Sequence, residues 1–344
     1  MAIVRSRFNK VFSLFSAGIL VFGLAACSGN AAENESEAET AASSSDSTEW
    51  PRTIDTDDGE LTLDAQPQRI VSTSTTLTGS LLAIDAPVIA SAYTGANNPG
   101  LTDQYGYFSQ WTQAAEEADV EPLWSNAEPQ IERAAALEPD LIVVSKNGGD
   151  SRFEMVDQLK TIAPVLVLDY SGADWQDITK TLGEATGKEA EAEEVIQEFD
   201  NRLEEVKEAI TIPADKTVSP FIIFGGGSGV AALTHEAPHT RILEQIGFDV
   251  TDIPEDLKGD TSMGANRPDI VSLAFENATR GLPGDIWIIV GATPDNVETF
   301  ENTPILSESQ QNKDGNVHFM PGETFRLDYY SAMMMLDSIE ESFA

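Results

Sequence analysis

Cysteine occurs once in these 344 residues, histidine three times, and basic side chains twenty times against fifty-eight acids. Each shortage removes a class of explanation. A single cysteine excludes an internal disulfide, so the fold must hold by burial alone, which a chain of this length can achieve. Three histidines leave little for a histidine-rich metal centre. They also leave few partners for the hydroxyl run Ser72, Thr73, Ser74, Thr75 and Thr76, which stands in no recognisable nucleophile elbow. A formal charge of −38 repels phosphate backbones and anionic lipid heads, which argues against a nucleic-acid partner. No apolar run reaches the ~20 residues that a membrane-spanning helix needs.

The start of the chain is the most informative stretch. Arg5, Arg7 and Lys10 precede the apolar segment Val11 to Gly23, and Ala25 and Ala26 lead into Cys27. A basic start, an apolar centre and small residues at the end read as a secretory signal peptide over residues 1–26. A cysteine directly after them resembles a bacterial lipoprotein box, in which Cys27 becomes the lipidated first residue of the mature chain. Removal of residues 1–26 leaves 17 bases (20 less these three) against 58 acids, a charge of −41. Residues 27–49 carry six acids, no base and no bulky apolar side chain after the cysteine, and read as a disordered tether.

Order is expected from Trp50. Thr53 to Thr56 and Glu60 to Asp64 flank the turn signal Asp58-Gly59 and predict a hairpin. Apolar runs at Arg69 to Thr73, Val88 to Tyr93, Asp140 to Ser145 and Pro164 to Asp169 predict buried strands. Helical stretches such as Leu77 to Ile84 and Ile131 to Leu137 separate them, and this alternation predicts a largely parallel sheet covered on both faces. From Asp174 to Ile210 the pattern becomes one long helix, with Ala192, Val195, Ile196, Phe199, Leu203, Val206 and Ile210 on a single stripe. Those last 19 residues alone would span ~28 Å. A second series follows, with strands at Val218 to Phe224, Phe248 to Thr251, Asp285 to Val290 and Val317 to Met320, and a final helix from Arg326 to Phe343. The predicted fold class is α/β. It comprises an N-terminal lobe over 50–173, a linking helix over 174–212 and a C-terminal lobe over 213–344, each lobe built on a mostly parallel sheet flanked by helices.

Two short motifs point to other chemistry. His235, Glu236 and His239 match H-E-x-x-H, the zinc hydrolase pattern, but Pro238 fits only the first turn of a helix, which would leave His235 in the preceding loop. Gly227, Gly229 and Ala232 match a dinucleotide fingerprint after an apolar strand, with Asp249 at a suitable distance, yet Pro238 interrupts the helix that should open there. The scarce cations carry more. Lys180, Lys188, Arg202 and Lys207 belong to the solvated side of the long helical region. Lys146, Arg267 and Arg326 fall at strand ends or loops, and Arg326 beside Tyr329 and Tyr330 suggests an anion-and-aromatic site between lobes.

Longer runs carry a resemblance. Trp50 to Ile54, Gln66 to Ser74, Leu77 to Ser91, Gly149 to Ser151 and Glu323 to Met333, in that order, resemble the ferric-enterobactin binding proteins of siderophore ABC importers, over about Trp50 to Phe343. The resemblance implies two α/β lobes bridged by one long helix, no enzymatic activity, and capture of a ferric catecholate siderophore outside the cytoplasmic membrane for delivery to permease subunits. No permanent cofactor and no protein metal ligand are implied, because six catecholate oxygens already saturate the iron. A trianion with three rings asks for guanidinium groups beside aromatic side chains. Arg267 and Arg326 are the expected cations, with Tyr93, Trp111, Lys146 and Tyr329 beside them. Glu132 and Glu276 match the positions through which such proteins dock to the permease. Ser109 and Leu233 depart from the arginine and tryptophan that relatives tend to show, which keeps haem, ferric hydroxamate or cobalamin open as cargo. A lipid-anchored monomer on the outer face of the cytoplasmic membrane is the expected form.

Overall fold

The computed structural model describes residues 49–224, 229–258 and 268–344. The expected signal peptide, Cys27, nearly all of the tether, Gly227 and Arg267 lie outside the described residues.

The N-terminal lobe opens with the antiparallel hairpin β1 (Arg52–Thr56) and β2 (Gly59–Leu63), where Gly59 takes the positive φ that the turn requires. Strands β3 (Ile70–Ser72), β4 (Val88–Tyr93), β5 (Glu121–Ser125), β6 (Leu141–Ser145) and β7 (Val165–Leu168) form a wholly parallel sheet in the order β5-β4-β3-β6-β7. Every residue of β6 is buried, as expected of a central strand covered on both faces. Helices α1 (Thr75–Ala83), α2 (Thr112–Glu117), α3 (Ile131–Ala136) and α4 (Val156–Leu159) supply the covering layers. The chain leaves β3 in one direction for β4 and β5, and in the other for β6 and β7. The carboxyl end of β3 is therefore a topological switch point, where open sheets of this kind leave a crevice.

The linking region departs from the single helix that its apolar stripe predicts. It is two helices, α5 (Trp175–Thr186) and α6 (Glu189–Ala209), separated at Gly187, which takes a left-handed conformation with φ 67°. Glycine adopts that conformation without a Cβ penalty, so it ends α5 there. The two helices then cross tightly, since a Cβ on Gly183 would lie 2.9 Å from that of Ala192. The stripe itself is real, for Ala192, Val195, Phe199, Leu203 and Val206 are all buried.

The C-terminal lobe holds β8 (Thr217–Ile223), β9 (Val230–Leu233), β10 (Asp249–Val250), β11 (Ile270–Leu273), β12 (Ile286–Ala292) and β13 (Val317–Pro321). Its sheet runs β11-β9-β8-β12-β13, with β10 beside β8, and it is mixed: β8 with β9 and β9 with β11 are antiparallel. Because β9 returns as a strand, Ala232 sits in a sheet and not in the helix that a dinucleotide fingerprint would require. The remaining helices are α7 (Pro238–Ile246), α8 (Ala278–Gly281), α9 (Pro294–Asn302), α10 (Pro304–Ser307), α11 (Gln310–Lys313) and α12 (Tyr329–Phe343). Arg326 does not open the last helix. Asp328 is the N-cap of α12, accepting from Ser331 N at 2.9 Å while Ser331 Oγ accepts from Asp328 N at 2.8 Å, so an anion stands where the helix dipole favours one.

Asp328 is also a cross-lobe wedge. A Cβ on Gly79 of α1 would lie 2.1 Å from its Oδ2, and Gln110 Nε2 of the N-terminal lobe donates to the same oxygen at 3.3 Å. Burial raises its carboxyl from the ordinary 3.8 to about 6, outweighing the bonds from Ser331 and Gln110. A carboxyl with a raised native pKa binds its proton more tightly when folded. Its stabilisation is fully present below pH 4 and is lost as pH climbs through 6, a swing of about 3 kcal/mol. Asp328→Asn keeps a competent N-cap and removes the charge. Urea denaturation should show a gain of ~1–2 kcal/mol at pH 7.5 and a flattened profile between pH 4 and 6.5; parallel profiles for the two proteins would contradict this account.

Candidate functional site

The switch point of the N-terminal sheet faces a cleft of about 650 Å³, part of it open to solvent, whose opposite wall comes from the C-terminal lobe. Thr76 and Ser80 of α1, Tyr170 after β7 and Trp175 at the start of α5 line one side. Leu233, His239, Asp269 and Arg326 line the other.

On the first side the geometry is organised by Asp150, in the loop after β6. It is 5% exposed, and its oxygens receive Ser74 Oγ at 2.6 Å, Thr76 N at 3.0 Å and the Tyr170 hydroxyl at 2.5 Å. Burial pushes this carboxyl up, but the bonds from Ser74 and Tyr170, the charge of Arg326 and the Thr76 N–H together outweigh it and hold it below its usual range. The Tyr170 phenol is pushed up, first by burial, with Asp150 adding to the effect. Asp150 is thus an anion and Tyr170 a neutral donor across the physiological range.

On the second side, the short 3-10 turn Gly322–Phe325 presents Arg326. Its guanidinium carbon lies 4.6 Å from the Phe325 ring centroid and 5.5 Å from that of Tyr170. Among the described residues it makes no hydrogen bond and no ion pair. Other arginines of the chain behave differently: Arg241 bonds Asp174 at 2.8 Å and Arg202 bonds Asp337 at 2.8 Å. Arg241 also donates to Gly172 O at 3.2 Å and so ties α7 to the loop before α5 at the edge of the cleft.

The remaining expected site residues are dispersed. Trp111 is fully buried against Tyr107, with ring centroids 5.0 Å apart, and belongs to the core of the N-terminal lobe. Tyr93 ends β4 and packs half-buried on that core. Lys146 Nζ donates to Asp57 O at 2.7 Å, pinning the hairpin tip. Tyr329 bonds Glu198 and lies behind Trp175, with centroids 6.2 Å apart, one layer removed from the cleft. None of these four is in the cleft lining. Of the two departures from the family pattern, Leu233 lines the cleft, whereas Ser109 sits in a 3-10 turn outside the lining. Glu132, in the first turn of α3, and Glu276, in the 3-10 turn Phe275–Asn277, are both exposed.

The zinc reading fails on geometry. Pro238 occupies the first position of α7, so His235 precedes the helix and bonds Glu244 at 2.5 Å. His239 places Nε2 2.7 Å from Thr324 O; a carbonyl oxygen only accepts, so that nitrogen carries the proton and is spent on the backbone. Among the described residues no cluster of three or more His, Cys, Asp or Glu could hold a metal. Tyr170, Asp150 and Trp175 are the functional candidates that sequence reading missed. Tyr170 stands directly after a predicted strand, and the rule that crevices open at carboxyl ends of strands is the signal that marks it.

Comparison with known proteins agrees with this architecture. The periplasmic binding protein family profile matches residues 70–324. The ferric enterobactin-binding periplasmic protein FepB of Escherichia coli O6:H1 (strain CFT073) is 42% identical over 296 residues, 86% of this chain and 92% of that protein. The probable siderophore-binding lipoprotein YfiY of Bacillus subtilis (strain 168) is 29% identical over 241 residues, 70% of this chain and 67% of that protein. The crystal structure of holo-ViuP superposes with a TM-score of 0.76 at 32% identity, covering 86% of this chain and 96% of that one.

Proposed function

The chain belongs to the periplasmic binding protein family, and from that premise we propose that it captures a ferric catecholate siderophore in the cleft between its lobes and hands it to an ABC importer. The observation that carries this reading is Arg326. Arg69, Arg133 and Arg152 also meet no carboxylate but end on backbone carbonyls; a half-buried guanidinium with neither a hydrogen bond nor an ion pair among the described residues is a cation held for something else. A tris-catecholate around Fe(III) brings about three negative charges and three rings, and Arg326 offers donors beside two aromatic side chains. Arg267, two residues before the cleft residue Asp269, is proposed as a second cation.

The iron is cargo, already six-coordinate, so the lining needs to supply charge and stacking surface and no metal ligand. The acidic exterior opposes long-range steering of such an anion, which leaves recognition to short-range contacts in the cleft. Glu132 and Glu276, one on each lobe and both exposed, are proposed as the carboxylates that meet basic residues of the permease. Leu233, branched and aliphatic where relatives tend to carry a ring, favours the second reading, a ferric hydroxamate.

Intrinsic tryptophan fluorescence of the chain from Trp50 onward should be quenched saturably by ferric enterobactin and not by a ferric hydroxamate; quenching by the hydroxamate alone would transfer the proposal to the second cargo. Arg326→Ala should weaken catecholate binding ~10-fold or more, since hydrogen bonds to charged groups contribute ~1.5–3 kcal/mol. Its unfolding temperature should fall by only a few degrees, because the ring contacts and the attraction to Asp150 are lost but no hydrogen bond or ion pair is. Equal affinities for the two proteins would remove Arg326 from the site.

We also propose that Cys27 is lipidated and anchors the chain to the membrane as a monomer, with residues 28–49 as the tether. Palmitate fed to producing cells should label the protein, and Cys27→Ala should abolish the label and move the protein from the membrane pellet to the soluble fraction. An unlabelled parent would end this part of the reading.

A further inference from the structure

We infer that Tyr170 and Asp150 are positioning residues for the Arg326 guanidinium, holding it across the lobe boundary with its donors left for the oxygens of an anionic cargo. The inference rests on the proposed capture of an anionic ferric complex, and its test separates the two. A guanidinium in this chain is expected to end on a carboxylate, as Arg202 and Arg241 do, or on a backbone carbonyl, as Arg69 and Arg133 do. Asp150 lies within reach of the charge of Arg326. Tyr170 touches both, its ring facing the guanidinium and its hydroxyl bonding the carboxylate. Its hydroxyl donates to Asp150 Oδ1 at 2.5 Å, while Ser74 Oγ and Thr76 N occupy Oδ2 at 2.6 and 3.0 Å. Both carboxylate oxygens are therefore engaged within the N-terminal lobe before Arg326 reaches them.

The consequence for the cation is chemical. A phenol that donates to a carboxylate gains electron density, and the negative face of its ring attracts the guanidinium more strongly. Asp150 thus acts on Arg326 through a π face, which attracts the cation without consuming any of its five N–H donors. A direct ion pair would hold the side chain equally well but would neutralise it. Gly148 adds an independent observation. Its φ of +101° suits glycine, and a Cβ there would lie 1.8 Å from the Tyr170 hydroxyl oxygen, so the loop is shaped around this hydroxyl from a second direction. Because Tyr170 follows β7 of the N-terminal lobe and Arg326 belongs to the C-terminal lobe, the position of the cation over the cargo depends on both lobes at once.

A double-mutant cycle tests this with ferric enterobactin as the probe. Tyr170→Phe keeps the ring and loses the bond to Asp150, so it should weaken binding ~3–10-fold and, because a buried carboxylate loses a donor, lower the unfolding temperature by a few degrees. Combined with Arg326→Ala it should add nothing, because its effect runs through the absent guanidinium. Additive losses in the double variant would overturn the inference, since they would mean that Tyr170 acts independently of Arg326. A ligand-free readout guards against failure of the cargo reading. The Arg326 Nε–H signal in nitrogen-15 spectra, identified by its loss in Arg326→Lys, should be shifted by the adjacent rings and should move in both Tyr170→Phe and Tyr170→Leu. A signal unmoved in both variants would overturn the inference whatever the cargo. Absence of binding by the parent, with the signal moving as expected, would overturn only the choice of catecholate.

Discussion

The hydrogen bonds to the buried carboxylate of Asp150 are the constraint around which the cleft is organised. They fix the first turn of α1, orient the Tyr170 ring and set the distance from which Arg326 feels a negative charge. A second buried acid shows what those bonds accomplish. Asp328 is at least as enclosed, yet its carboxyl is raised to about 6, because its donors do not repay the loss of water and no cation lies among the causes that act on it. Asp150 has strong donors from three residues and the charge of Arg326 nearby, and it goes the other way. Burial is common to both; the count and charge of the partners decides the sign.

Most of the architecture was legible in the residues for one reason: buried parallel strands are continuous apolar runs, and these stood out at Val88 to Tyr93 and Leu141 to Ser145. The strands that escaped are β5, β9 and β11, the last of them a run of only four residues, Ile270 to Leu273. Glu121-Pro122 opens β5 with residues that strands avoid, and Val230 to Leu233 of β9 contains two alanines with weak strand preference. Those elements are placed by their neighbours in the sheet. The antiparallel pairs of the second sheet were hidden for the same reason, because both involve β9. The break at Gly187 was hidden by the stripe of apolar residues, which continues in register closely enough to mask one left-handed residue.

The site was legible only where rarity gave a signal. A lone arginine at a loop in an acidic chain invites attention, and Arg326 does face the cleft. Aromatic residues gave no such contrast. Trp111 and Tyr329 look alike in sequence to ring donors of a binding wall, yet one fills the core and the other bonds Glu198 behind it. Lys146, expected beside the cargo, instead meets a backbone carbonyl of the hairpin. Asp150 could not be weighed at all before the fold was known, since its partners come from positions 74, 76 and 170, brought together only by the crossing of β3, β6 and β7.

The paired helices between the lobes have a mechanical consequence. Because Gly183 touches Ala192, α5 and α6 form a braced corner, and α6 is further riveted to α12 through Arg202, Asp337 and Glu340. A corner stiffened on both arms stores little travel. A receptor built this way resembles a fixed socket more than a spring trap, so the energy of seating a guest is not spent on moving the walls. By the same reasoning, a frame braced in this way would hold little recoil with which to expel a guest.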